Sequence, residues 1–141
     1  MEIDKSLIQN LINEAFAAAG NAYCKYSGYH VGAALLTVNG KIFKGCNIEN
    51  SSYGATNCAE RTAIFKAVSE GERDFEAIAI VGFIDGKEPD SYAYPCGICR
   101  QVMSEFCDRD FEIIVAKSVN DYKLYTLNEL LPESFGADNM I

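Results

Sequence analysis

Phe75-Glu76-Ala77-Ile78-Ala79-Ile80-Val81-Gly82-Phe83-Ile84 is the segment from which the architecture follows. It is β-rich and almost unbroken in apolar character, whereas a strand with one wet face would alternate, so it reads as an interior strand covered on both sides. Such a strand needs helices against it, and its neighbours supply them. Cys58 to Glu70 carries Ala59, Ala63, Ile64, Ala67 and Val68 as an apolar stripe and is ended by Gly71. Cys96 to Cys107 reads as a second helix opened by Pro95, with Asp85 to Tyr94 as the loop between.

Further out, Leu7, Ile8, Leu11, Ile12, Ala15, Phe16 and Ala19 recur at helical spacing after Asp4, and Gly20-Asn21 is the stop. Val31 to Val38 and Lys41 to Ile48 form a hairpin around Asn39-Gly40, a dipeptide suited to positive φ. Phe111 to Ala116 and Tyr122 to Leu127 are two further short strands, and the tail after Pro132 is left unassigned. The order predicts one α/β domain over residues 1–141, a three-layer α/β/α arrangement on a mixed sheet of about five strands.

Of 141 residues, 49% are hydrophobic, enough for one ordinary core. No apolar run approaches the roughly 18 residues of a membrane span, and the N-terminus lacks the basic-then-apolar order of a secretory signal, so the expected location is cytoplasmic. Lys and Arg total 12 against 20 Asp and Glu, a net charge of -8, and no basic run is present to neutralise a phosphate backbone. The expected partner is therefore a small molecule rather than a nucleic acid or a membrane. In a reducing compartment the six cysteines (Cys24, Cys46, Cys58, Cys96, Cys99, Cys107) are read as thiols, and those at ligand spacing point to metal or redox chemistry.

Cys96-Gly97-Ile98-Cys99 together with Cys58 offers three thiolates and leaves a fourth tetrahedral position open, the pattern of a catalytic zinc site. A closed structural site, with Cys24, Cys46, Cys107 or His30 as fourth ligand, is the alternative. Cys58 and Cys96 both stand where helices begin, and helix N-termini favour anions. Three thiolates and a hydroxide around Zn²⁺ sum to about -2, so positive charge is wanted nearby, and Arg61 and Arg100 are the candidates. Glu60, two residues from Cys58, is placed to face the open position without being a ligand, where a carboxylate can move protons.

Gly45-Cys46-Asn47-Ile48-Glu49-Asn50, Asn57-Cys58-Ala59-Glu60-Arg61-Thr62 and Pro95-Cys96-Gly97-Ile98-Cys99-Arg100-Gln101 closely resemble blocks of the small homotetrameric cytidine deaminases. The likeness runs from Tyr26-Ser27 and Val31-Gly32-Ala33-Ala34 to Leu130-Leu131-Pro132 and Ser134-Phe135, nearly the whole chain. The resemblance implies the cytidine-deaminase-like fold, one Zn²⁺ per subunit held by Cys58, Cys96 and Cys99, and Glu60 as catalytic acid and base in the manner of zinc deaminases. It implies hydrolysis of free cytidine and deoxycytidine, a pyrimidine-salvage reaction.

It further implies that Asn47 and Glu49 read the ribose hydroxyls, that Ala59 and Tyr29 contact the base, and that Arg61 offsets thiolate charge. Tyr53 and Phe135 are implied to complete the sites of neighbouring subunits. Tyr29 stands where the family usually has Phe, Lys25 where Pro is usual, and Ile98 where Ala is usual. The competing readings are a related aminopyrimidine nucleoside deaminase of the blasticidin S type and a non-catalytic zinc module. Asn47 with Glu49 weighs against the first, and Glu60 against the second.

Overall fold

The computed structural model describes residues 3–140. Five strands form one sheet in the order β2-β1-β3-β4-β5: β1 Tyr29–Thr37, β2 Ile42–Cys46, β3 Phe75–Ile84, β4 Glu112–Ser118 and β5 Asp121–Thr126. Only the β3–β4 pair is parallel, and it is spanned by helix α3, Gly97–Phe106, as parallel neighbours require. The central strand is the one read first, with its bounds as expected.

Helix α1, Lys5–Ala19, is capped by the Asp4 side chain, which accepts from the Leu7 amide at 2.8 Å. Its Ile8, Leu11, Ile12, Ala15 and Ala19 pack on Ala34, Leu36, Ala77, Ala79, Val81, Ile114 and Ala116 of one sheet face. Helix α2, Ala59–Ser69, and α3 cover the other face through Ala59, Ala63, Ile64, Ala67, Cys99 and Met103, against Ala33, Leu35, Ile78, Ile80, Ile113 and Val115. The expected three layers are present, because alternate residues of the interior strands point to opposite faces.

Two glycines set the spacing of these layers. A Cβ on Gly32 would lie 1.9 Å from the Ala15 carbonyl oxygen, and one on Gly45 would lie 2.5 Å from both the Ala59 carbonyl oxygen and the Ala63 nitrogen. Helices α1 and α2 therefore rest on β1 and β2 at backbone contact. Gly71 adopts φ 98° and closes α2 with paired bonds, Gly71 N–H to the Val68 carbonyl and Glu72 N–H to the Ala67 carbonyl, both 3.0 Å.

Two local expectations are corrected. The hairpin is offset from its reading: β1 begins earlier, at Tyr29, and ends at Thr37, the Val38 N–H bonding the Asp74 carbonyl at 3.1 Å, while β2 is shorter, Ile42–Cys46; Gly40 still takes positive φ, 90°. Leu127 ends no strand but opens the one-turn helix α4, Leu127–Leu130, whose capping box pairs Thr126 with Glu129. The tail beyond Pro132, unassigned from the sequence, contains a 3-10 turn, Ala137–Asn139.

Candidate active site

Cys58 and Cys96 are the N-cap residues of α2 and α3, with extended backbones (φ -75°, ψ 156° and φ -69°, ψ 169°), and neither uses its side chain as a cap. Their sulfurs are thus free to converge beside two helix N-termini, where thiolate charge is favoured. Cys99 lies one turn into α3 and is fully buried. Cys58 Sγ and Cys96 Sγ are 3.8 Å apart, Cys96 Sγ and Cys99 Sγ 3.6 Å. All three sulfurs lie within 4.8 Å of one another.

Tetrahedral zinc–sulfur bonds of about 2.3 Å place ligand sulfurs about 3.8 Å apart, so the cluster fits a zinc ion in spacing as well as in donor type. Hydrogen bonding from Cys99, aided by the hydrogen bond and charge of Arg61 and opposed by burial, lowers the Cys58 thiol to about 5. Cys99 moves the other way, chiefly because it keeps the proton it shares with Cys58.

Arg61 donates from Nη2 to Cys58 Sγ at 3.3 Å, and its Nε is buried without a hydrogen-bond partner. Arg100, the other cation considered, is elsewhere: its Nε donates to the Pro95 carbonyl and its Nη1 to the Leu130 carbonyl, each at 2.7 Å. It ties the loop before Cys96 to α4 instead of neutralising sulfur.

No fourth protein ligand joins the cluster among the described residues. His30 Nδ1 lies 3.0 Å from the Ala19 carbonyl oxygen, and its Nε2 lies 3.2 Å from Asp85 Oδ1. Cys58 and Cys96 line a cavity of about 340 Å³, within the size range of small-molecule sites.

Tyr29, Asn47, Glu49, Cys58, Ala59, Glu60 and Cys96 all line that cavity, which brings together most of the residues marked in the sequence. Glu60, in the first turn of α2, is only 4% exposed, and burial raises its carboxyl to about 7.

Asn47 is also buried, and its amide spans the start of β1: Oδ1 accepts from Val31 N–H at 2.9 Å and Nδ2 donates to the Tyr29 carbonyl at 2.8 Å. Glu49 Oε1 accepts from the Tyr26 and Ser27 amides at 3.0 and 3.1 Å, and its Oε2 accepts from the Ser27 hydroxyl at 2.5 Å. That hydroxyl bond, with the two amide bonds, holds the Glu49 carboxyl below its ordinary value. Both side chains therefore shape the Tyr26–Tyr29 turn and still present one face to the cavity.

Tyr53 and Phe135 do not line this cavity and stand 84% and 60% exposed. Conversely, Val31, Thr56, Asn57, Ile80, Tyr92, Ala93 and Tyr94 line it without having been marked. The last three belong to the Asp85–Tyr94 loop. Tyr92 donates to Asp121 Oδ1 at 2.5 Å, and the Tyr94 ring meets Tyr125 edge-on at 5.9 Å, so β5 fastens this loop beside the cavity. From the sequence this stretch reads only as a loop, and a loop assignment does not disclose a cavity wall.

Residues 5–115 match the family described as the cytidine and deoxycytidylate deaminase zinc-binding region. A cytidine deaminase of Halalkalibacterium halodurans is 52% identical, covering 94% of this chain and 96% of its own length. One from Sporosarcina psychrophila is 47% identical with 94% of each covered. The crystal structure of a cytidine deaminase from Burkholderia pseudomallei superposes with a TM-score of 0.82 at 46% identity, over 89% of this chain and 97% of that one. The match extends through both helix starts that carry the thiols and through the strands that space them, and the chain belongs to the zinc-binding cytidine and deoxycytidylate deaminase family.

Proposed function

We propose that this protein hydrolyses the exocyclic amino group of cytidine and deoxycytidine, releasing ammonia and leaving uridine and deoxyuridine. The observation that carries the reading is a buried carboxyl, Glu60, opening onto the same cavity as a three-thiol cluster built to hold zinc. The relatives' names agree with it.

Cys58, Cys96 and Cys99 would hold the ion, and zinc bound there would supply Lewis acidity that makes water nucleophilic near neutral pH. Glu60 takes one proton from the attacking water and delivers it to N3 of the pyrimidine as the water oxygen bonds to C4; it then takes the second proton from the new C4 hydroxyl and passes it to the amino group, so that the C4–N bond breaks, ammonia leaves and the C4 carbonyl of uridine forms. Burial gives this carboxyl a fixed position from which to work. Arg61 balances the charge of the thiolates through Cys58.

Tyr29 offers its ring to the base and Ala59 the backbone beside it, while the free valences of Asn47 and Glu49 read the sugar hydroxyls. Each Asn47 amide atom makes one bond in the subunit, so one N–H and one lone pair remain for a ligand. Exposure of Tyr53 and Phe135 supports a homotetramer in which these side chains close neighbouring sites, and the acidic chain favours a neutral nucleoside over a nucleic acid.

The test is ammonia release and the ultraviolet change on mixing purified protein with cytidine, deoxycytidine or free cytosine, before and after chelator stripping. Turnover of both nucleosides, lost on stripping and restored by zinc, is expected. A folded, zinc-loaded sample inert toward both would sink the proposal.

A further inference from the structure

Gly82 lies near the end of β3 on the face that carries Ile80, the face toward the cavity. In the antiparallel β1–β3 pair, Val31 stands opposite Gly82 and Tyr29 opposite Ile84. A Cβ on Gly82 would meet the Tyr29 hydroxyl oxygen at 2.3 Å, Tyr29 Cζ at 2.7 Å and Ala93 Cβ at 3.0 Å. The Tyr29 ring therefore crosses from β1 and lies with its phenolic end on the bare backbone of β3, beside Ala93 of the loop. Gly82 is not among the residues with positive φ, so conformational freedom does not account for glycine in this buried strand. Space does: a glycine inside a strand commonly marks a close approach by another group.

We propose that Gly82 is a positioning residue for nucleoside recognition: its missing side chain is the recess that receives the Tyr29 hydroxyl and sets how deep the cavity wall lies. The proposal rests on the deaminase reading above. A phenylalanine would end at Cζ, 2.7 Å from that Cβ, whereas the tyrosine hydroxyl comes to 2.3 Å, so the tyrosine at 29 makes the closer demand on the glycine at 82. With alanine at 82, the hydroxyl contact must lengthen from 2.3 Å to at least the 3.4 Å of ordinary contact. The added methyl pushes the ring, which lines the cavity, away from β3 and toward the volume where the base is to sit.

Cytidine KM and kcat, the dissociation constant of uridine by equilibrium dialysis, and melting temperature are compared in the natural protein, Gly82→Ala, Tyr29→Phe and the double variant. Gly82→Ala is expected to raise KM and the uridine constant together, by about tenfold, the lower part of what overpacking a closed site produces. Its kcat and zinc content change far less. In the Tyr29→Phe background the same substitution has a smaller effect, because the displacement needed to reach 3.4 Å falls from about 1.1 Å at the hydroxyl to about 0.7 Å at Cζ.

Equal effects in both backgrounds, or none in either, overturn the proposal. If Gly82→Ala does not fold but the double variant does, the pairing stands; if neither folds, it fails. Absence of both turnover and uridine binding in the natural protein sinks the deaminase reading instead. The packing half is then decided by whether the melting temperatures of the four proteins couple, as expected, or add.

Discussion

Gly45→Ala should damage the metal site from outside it. The added methyl would lie 2.5 Å from the Ala59 carbonyl oxygen, 2.5 Å from the Ala63 nitrogen and 3.0 Å from Ala63 Cα, all backbone atoms of α2 that no rotamer change can move. Reaching ordinary contact requires β2 and α2 to part by about 1 Å, and overpacking of this kind costs about 1–3 kcal/mol. For a chain of this size that corresponds to a fall of roughly 4–10 °C in Tm.

The functional effect is larger, because α2 carries Cys58 and Glu60 while Cys96 and Cys99 ride on α3, which Gly45 does not touch. One ligand and the carboxyl would shift against two stationary thiols. Metal sites tolerate about 0.2 Å of ligand misplacement, and 1 Å of error at a reacting group costs on the order of 10²-fold in rate. Zinc affinity by chelator competition, cytidine turnover and thermal unfolding are the assays. A Gly45→Ala protein that melts early but keeps natural zinc affinity and turnover would refute the claim that backbone contact at Gly45 locates α2.

Glu60→Gln should retain zinc and lose at least about 10²-fold in turnover, since the amide cannot take a proton from water; near-natural kcat would remove Glu60 from the mechanism. Arg61→Ala deletes the 3.3 Å donor to Cys58 Sγ and a positive charge, both of which favour thiolate. The thiol of the zinc-free protein should then rise from about 5, and the pH midpoint of its alkylation should move upward, whereas an unmoved midpoint would show that the guanidinium does not set it.

Asn47→Asp replaces the Nδ2 donor to the Tyr29 carbonyl with an oxygen in a buried position, at a cost of about 2–4 kcal/mol in urea unfolding. The loss favours protonated Asp and raises its folded-state pKa above the unfolded value of about 3.9, so stability should be regained as pH falls toward that value. A deficit that does not change with pH would contradict the assignment of this bond.

Much of this was legible because the signals were periodic or doubled. The α1 stripe and the unbroken β3 segment state their partners in the spacing of apolar residues, and Cys58-Ala59-Glu60 with Cys96-Gly97-Ile98-Cys99 names a donor set that few other uses require. Helix α4 was hidden because Leu127 continues the apolar run of β5, although the capping pair Thr126 and Glu129 was there to be read. Arg100 was misjudged because its neighbour Cys99 is close in sequence, while its guanidinium reaches for the Pro95 and Leu130 carbonyls. Tyr92, Ala93 and Tyr94 became cavity wall only through tertiary anchors on β5, and one-dimensional pattern carries no trace of those.

Gly32 and Gly45 bear on how this chain can diverge. In the ladder Gly32 stands opposite Cys46 and Ala33 opposite Gly45, so the two glycines are diagonal neighbours whose bare backbones face α1 and α2 on opposite sides of the hairpin. Any larger residue at either place pries a helix away, and inherited change there is closed off whatever the substrate. Tyr92, Ala93 and Tyr94 reach the cavity from an irregular loop, and none of them is a glycine on whose backbone a helix rests. New specificities in descendants of this sequence should therefore arise by rewriting one wall of the chamber while its frame is handed down intact.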